Sequence, residues 1–266
     1  MEAASVLRIN RIKGEKRMDF NGQHVVITGG SAGIGRAAAE KIIAAGGTVT
    51  LIARRPDVLE QAVRELGPQA RAIPCDVGVQ EELIAALDGA EAQSGPIDGL
   101  FLNAASTGTF TVTADYPDDK MEEVLRINVL SPFWAVRHVM PKMRARGKGA
   151  ILVTGSLGGE RGMVGNAGYC ISKGAAKQLA MVAAAEGAAD GVRCNVITPG
   201  FIDTDMMNSA PDEAVAAMKA TTPQHRIGRP PEAGAVAAFL LSDDASHVTA
   251  QALAIDGGVL GTMMIR

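Results

Sequence analysis

Strand-like and helix-like segments alternate along almost the whole chain, and no other feature narrows its fold as far. Residues 24–28 are a short apolar, β-branched run that reads as a buried strand. Residues 34–45 form an Ala-rich helical stretch that Gly46 and Gly47 stop. Further strands are expected over 48–53, 70–75, 100–102, 150–154, 193–198 and 253–255. Helices are expected over 56–66, 80–93, 121–146 and 169–188, with a helical hairpin in 211–241. The long stretch 121–146 is expected to kink near Pro132. Strands that alternate with helices make a parallel sheet covered on both faces. The fold class is therefore α/β, a doubly wound parallel sheet with helices on both sides.

Of the 266 residues, 47% are hydrophobic and 21% charged, which excludes a disordered chain. The formal charge is −3, and aromatics are 3%, which argues against a nucleic-acid partner. Three scattered cysteines make no disulfide framework. With no C-x-x-C or H-E-x-x-H and four dispersed histidines, no metal site is expected. No apolar run approaches the roughly 18 residues of a membrane span, so no membrane partner is expected and a cytoplasmic location is. Residues 1–17 are basic but lack an apolar segment behind them, unlike a secretory signal, and Glu2 and Glu15 argue against a transit peptide. They are expected to be a disordered extension. With no internal repeat or linker, residues 18–266 are expected to be one domain.

The first strand runs directly into Thr28-Gly29-Gly30-Ser31-Ala32-Gly33-Ile34-Gly35, and a helix follows. Glycines there permit a tight turn, bring backbone N–H groups close to a pyrophosphate and set it at a helix N-terminus. A glycine turn alone is a weak signal, but the strand before it and the helix after it are the required context. Tyr169 and Lys173 are four apart and share a helix face. Ser156 ends the preceding strand, at the edge where open α/β sheets bind ligands. A free phenol has a pKa near 10. An ammonium about 4 Å away, at an effective dielectric of about 20, is worth up to about 4 kcal/mol, or roughly three pKa units. That would bring the phenol toward neutral pH as an acid–base group.

On these motifs the sequence resembles the short-chain dehydrogenase/reductase family, over about residues 20–260. Asp76-Val77 is similar to the family's adenine-contacting pair. Asn103-Ala104-Ala105 stands where the family has N-A-G. Asn128 matches the family's helical Asn, and Asn195 to Gly200 matches N-x-x-x-P-G. The resemblance implies a single-domain Rossmann-type fold and an oxidoreductase that interconverts a ketone and a secondary alcohol. It implies that Tyr169 exchanges the proton, Ser156 binds the reacting oxygen, Lys173 holds the nicotinamide ribose and Asn128 orders a water that relays protons to Lys173. Cofactor contacts would come from Gly29, Ser31, Ala32, Gly33, Ile34, Gly35, Asp76, Val77, Asn103, Ala104, Tyr169, Lys173, Pro199, Gly200, Ile202 and Thr204.

The position expected to carry an acid for a ribose 2′-hydroxyl holds Ala53, and Arg54 and Arg55 follow. A guanidinium suits a 2′-phosphate, so NADP(H) is favoured over NAD(H). Leu157, Met163, Val164, Phe201, Met206 and Met207 suggest an apolar pocket for a small carbonyl or alcohol substrate. In the family the 201–207 stretch behaves as a mobile lid. Six alanines (Ala175, Ala176, Ala180, Ala183, Ala184 and Ala185) lie on the helix that pairs across a two-fold axis in the family, implying a homotetramer or homodimer. Two other readings stand beside the oxidoreductase. A silent dinucleotide-binding regulator is disfavoured by the presence of Tyr169 and Lys173. An epimerase or dehydratase on this fold usually carries a larger substrate domain.

Overall fold

The computed structural model describes residues 18–205, 207 and 210–262. The expected N-terminal extension, 1–17, and Met206 lie outside the described residues. Seven strands form one sheet: β1 (His24–Thr28), β2 (Thr48–Ala53), β3 (Ala70–Pro74), β4 (Gly99–Leu102), β5 (Gly149–Thr154), β6 (Val192–Pro199) and β7 (Ala252–Ile255). Their order is β3-β2-β1-β4-β5-β6-β7, and every pairing is parallel. The helices are α1 (Gly33–Ala44), α2 (Pro56–Leu66), α3 (Gln80–Ser94), α4 (Asp118–Leu125), α5 (Ser131–Arg146), α6 (Ala167–Gly187), α7 (Asp212–Thr221) and α8 (Pro230–Leu241).

Alternate strand residues feed two cores. Val26, Leu100, Leu102, Ile151, Val153 and Val196 pack with α3, α5 and α6. Val25, Ile27, Leu51, Phe101, Leu152 and Ile197 pack with α1 and α8 on the other face. This is the doubly wound Rossmann-type sheet expected from the sequence. The strand order reverses between β1 and β4. There the connections leave in opposite directions and open a crevice at the carboxyl ends of the strands.

Two local readings are refined. The long helix starts at Asp118, with Asp118 and Asp119 in its first turn beside the helix's positive end. A π-helical turn over Arg126–Leu130 joins α4 to α5, and Ser131 N–H bonds the Arg126 carbonyl. Pro132 has no N–H to offer the carbonyl of Asn128, four residues back, and a widened turn just ahead of it accommodates the loss. The six alanines singled out on α6 divide, with Ala175 half-buried and Ala185 exposed. Ala176, Ala180, Ala183 and Ala184 are buried in the chain's own core. The outward side of α6 also carries Ile171 and Val182, while Leu130 and Phe133 are exposed near the start of α5. No described helix is long and apolar enough to cross a membrane.

At the amino edge of β1, His24 is buried. Its Nδ1 meets the Gly95 carbonyl at 3.0 Å and so carries the proton, leaving Nε2 to accept from Thr50 Oγ1 at 2.8 Å. Burial pushes the imidazole pKa down, against the Gly95 carbonyl and the Asp98 carboxylate. The folded state then binds fewer protons than the unfolded one below the ordinary His value of about 6.5. Stability from His24 is complete above that pH and is lost as the pH falls through it. Melting temperatures taken from pH 8 to pH 5 should show this decline, and His24→Gln should flatten its upper part.

Candidate active site

The glycine turn is built so that side chains are excluded from it. Gly29 and Gly33 have φ of +65° and +54°, a region L-residues rarely adopt. A Cβ on Gly35 would lie 2.5 Å from the Gly29 carbonyl oxygen. Ala32 caps α1 without a side-chain hydrogen bond, and the first turn holds no acidic residue. Backbone N–H groups from Ser31 to Gly35 therefore face the crevice at the positive end of a helix, a cradle that fits a pyrophosphate. The Thr204 methyl is 3.2 Å from where a Gly33 Cβ would stand, so the stretch after Pro199 and Gly200 borders this turn. Ile202 is buried and bridges to Gly228.

Asn103 and Thr28 tie the strand ends together. Thr28 Oγ1 accepts the N–H groups of Asn103 and Ala104 at 3.0 and 3.2 Å. Asn103 Nδ2 donates to the Gly29 carbonyl at 3.1 Å, and Asn103 Oδ1 accepts from Thr154 Oγ1 at 3.0 Å. Ala105, the departure from N-A-G, needs no glycine, because its φ is not positive.

Thr154 carries the chain of bonds on: its carbonyl accepts from Lys173 Nζ at 2.7 Å. Lys173 is 3% exposed, and the same Nζ lies 5.6 Å from the centroid of the Tyr169 ring. Burial alone pulls the lysine pKa down to about 8. Burial pushes the Tyr169 phenol up, and a hydrogen bond with the Ser156 side chain pulls it back. The ammonium is thus directed at a carbonyl and does not lower the phenol in the way a 4 Å separation implied. Ser156 Oγ also accepts the Gly158 N–H at 3.2 Å, which shapes the loop after β5.

Asn128, in the π-helical turn, is 2% exposed. Its Oδ1 accepts the Ser106 N–H, and its Nδ2 donates to the Ser106 carbonyl, both at 2.8 Å, and to Ser172 Oγ at 2.9 Å. Ser172, fully buried, donates to the Tyr169 carbonyl at 2.8 Å. The Asn128 side chain is therefore engaged in holding the loop after β4 against the helix that carries Tyr169, with no bond to Lys173. Thr28 opens the glycine motif, which assigns it no role, and Ser106, Thr154 and Ser172 are supporting residues that motif reading passes over. Their residue types are ordinary for a strand, a loop and a helix, and only the tertiary contacts mark them.

On the far side of the crevice, β2 ends at Ala53, and Arg54 and Arg55 are exposed. The charge of Arg54 reaches Glu123 on α4, where it helps hold the carboxylate low behind the larger effect of Lys120. Asp76 Oδ1 accepts the Gly78 N–H at 2.9 Å, and Val77 is buried. A cavity of about 530 Å³ opens at the opposite, amino edge of the sheet. Its charges are already engaged, Lys148 with Asp243 and Arg193 with carbonyls at the end of α8. Among the described residues no cluster of His, Cys, Asp or Glu is placed to hold a metal ion.

A family model described as enoyl-(acyl carrier protein) reductase matches residues 29–260. The chain belongs to the short-chain dehydrogenase/reductase family. It is 34% identical over 252 residues to levodione reductase of Leifsonia aquatica, covering 90% of this chain and 94% of that one. The crystal structure of levodione reductase superposes with a TM-score of 0.87 at 33% identity, covering 91% of this chain and all of the other. It is 34% identical over 244 residues to 2,5-dichloro-2,5-cyclohexadiene-1,4-diol dehydrogenase of Sphingobium indicum, covering 90% and 98%. Identity to the 3-oxoacyl-(acyl-carrier-protein) reductase of Salmonella typhimurium is 32% over 242 residues, covering 91% and 99%. As a member of this family, the short-chain dehydrogenase/reductase is an oxidoreductase acting on secondary alcohol or ketone groups with a nicotinamide dinucleotide.

Among the described residues, Thr28 supplies the only acceptor for the Asn103 and Ala104 N–H groups, so its loss should be felt. Thr28→Val keeps the shape but leaves both donors unpaired, and should cost about 1–3 kcal/mol in denaturant unfolding. Thr28→Ser should cost markedly less.

Proposed function

We propose that the chain is an NADP(H)-dependent reductase or dehydrogenase in which Tyr169 is the general acid/base. One observation carries this reading: a buried lysine with no carboxylate partner sits beside a phenol that a serine side chain hydrogen-bonds. Tyr169 donates its proton to the carbonyl oxygen in reduction and takes it back in oxidation. Ser156 hydrogen-bonds the same oxygen as charge develops there. Lys173 holds the ribose hydroxyls while its ammonium stays anchored on the Thr154 carbonyl. Asn128 positions the Tyr169 backbone through Ser172. The bound nicotinamide dinucleotide supplies or accepts the hydride.

The absence of an acid at Ala53 and the exposed guanidinium of Arg54 support a 2′-phosphate and hence NADP(H). Gly29 to Gly35, Asp76, Val77, Asn103, Ala104, Pro199, Gly200, Ile202 and Thr204 line the rest of the dinucleotide path. Ile171 and Val182 on α6, with Leu130 and Phe133 beside α5, support pairing of two copies, as in a homodimer or a homotetramer.

The test is a panel of ketones with NADPH and NADH, followed by loss of reduced-cofactor absorbance. Tyr169→Phe should lower turnover by at least about a hundredfold while dinucleotide affinity changes little. Near-normal turnover in that variant would overturn the mechanism. Arg54→Ala should weaken NADPH far more than NADH, and Ala53→Asp should shift preference toward NADH. Ketone reduction needs both Tyr169 and Lys173 protonated. Its kcat/KM should therefore hold at neutral pH and fall as the pH rises past about 8.

A further inference from the structure

Two loops beside Tyr169 are joined to each other. Thr111, between β4 and α4, makes a parallel bridge with Asn166, and its N–H donates to the Gly165 carbonyl at 2.9 Å. Asn166 itself is buried, but the residues around the bridge are turned outward. Phe110 is 69% exposed, Val112 54%, Met163 38% and Val164 99%. Four large apolar side chains on two joined loops make a patch of the kind that marks a binding surface.

The patch is continuous with the reacting centre. Met163 Sδ and Tyr169 Cδ1 lie 3.2 and 3.3 Å from one point, the place a Cβ on Gly158 would take. The first loop is anchored from beneath, where the Tyr116 hydroxyl packs so tightly on Gly108 and Gly168 that a Cβ on either would lie 2.4 Å from it. The mouth is also uncharged. Residues 105–114 and 162–172 contain no Asp, Glu, Lys or Arg. Just before the second loop, Glu160 pairs with Lys177 at 2.7 Å and Arg161 with the Leu260 carbonyl at 3.0 Å, and just after it Lys173 is held by the Thr154 carbonyl. Among the described residues, these two loops therefore offer no cation to receive a carboxylate or phosphate on the substrate.

We propose that Phe110, Val112, Met163 and Val164 form a clamp for an uncharged, hydrophobic substituent, alicyclic or alkyl, attached to the ketone or alcohol carbon. This deepens the assignment of Tyr169 as the acid/base and rests on it for the position of the reacting carbon. The clamp sets specificity, and the chemistry stays with Tyr169. Continuity with Tyr169 favours a substrate over a second copy of the chain as its occupant.

Binding tests the clamp separately from turnover. 4-Alkylcyclohexanols of increasing chain length are titrated by calorimetry into the full chain with excess reduced dinucleotide, a pair that cannot react. Affinity should rise by up to about fourfold per added methylene. A 4-carboxylate on the ring should bind more weakly than a 4-methyl group. Phe110→Ser and Val164→Ser should each flatten the chain-length series, and Phe110→Leu should restore much of it. Affinity indifferent to chain length, equal binding of the carboxylate, or an unchanged series in both Ser variants would overturn the proposal. So would a fall in oligomer mass by sedimentation with Phe110→Ser, since a second copy would then be the occupant. An intact series with no turnover of any ketone supports the clamp and counts only against the reading of Tyr169.

Discussion

The side-chain amide of Asn103 holds the carboxyl ends of β1, β4 and β5 in one arrangement, and the site is organised around it. Its donor fixes the Gly29 carbonyl in the glycine turn, and its acceptor fixes the Thr154 hydroxyl. The Thr154 carbonyl in turn receives Lys173. A short relay of hydrogen bonds thus runs from the phosphate-binding turn to the helix bearing the acid/base pair. Such networks behave as units, so a change in any member is felt at both ends. The reversal of strand order between β1 and β4 opens the crevice, and this relay sets the spacing of its two walls.

Electrostatically the centre is left unbalanced. Lys173 is buried with a carbonyl rather than a carboxylate for company, and the phenol beside it is desolvated. Both groups are driven toward their neutral forms, the lysine pKa downward and the phenol pKa upward, so the two move apart on the pH scale. A fold assembled for stability alone would pair such a lysine with an acid or leave it in water. Groups displaced by burial in a crevice are characteristic of catalytic sites, and here the displacement brings the lysine close to physiological pH.

Much of this was legible in the sequence. The alternating apolar runs gave the seven strands because buried parallel strands are continuously hydrophobic, whatever their tertiary neighbours. The glycine turn and the Ser156, Tyr169 and Lys173 spacing were readable because each depends on local geometry. What depended on distance through space was not readable. The ammonium's preference for the Thr154 carbonyl, the tie from Asn128 through Ser172 to Tyr169, and the capping of two N–H groups by Thr28 all join residues far apart in the chain. The alanines of α6 show the same limit of local reading, since four face the chain's own core while Ala175 and Ala185 do not. Small residues suit close packing against the chain's own sheet and against another subunit alike, and composition does not distinguish the two.

The π-helical turn over Arg126–Leu130 carries a consequence for how this chain can vary. It accommodates one residue more than a regular turn would. Deleting a residue there would restore a regular α-helical turn and leave the helix after it in register, because the bulge itself absorbs that residue. Val136, Val139, Met140 and Met143 would keep their places in the core, while Asn128 would lose the widened turn that sets it between Ser106 and Ser172. The extra residue therefore serves the site and not the core, and its removal would be felt at Tyr169 before it was felt in stability.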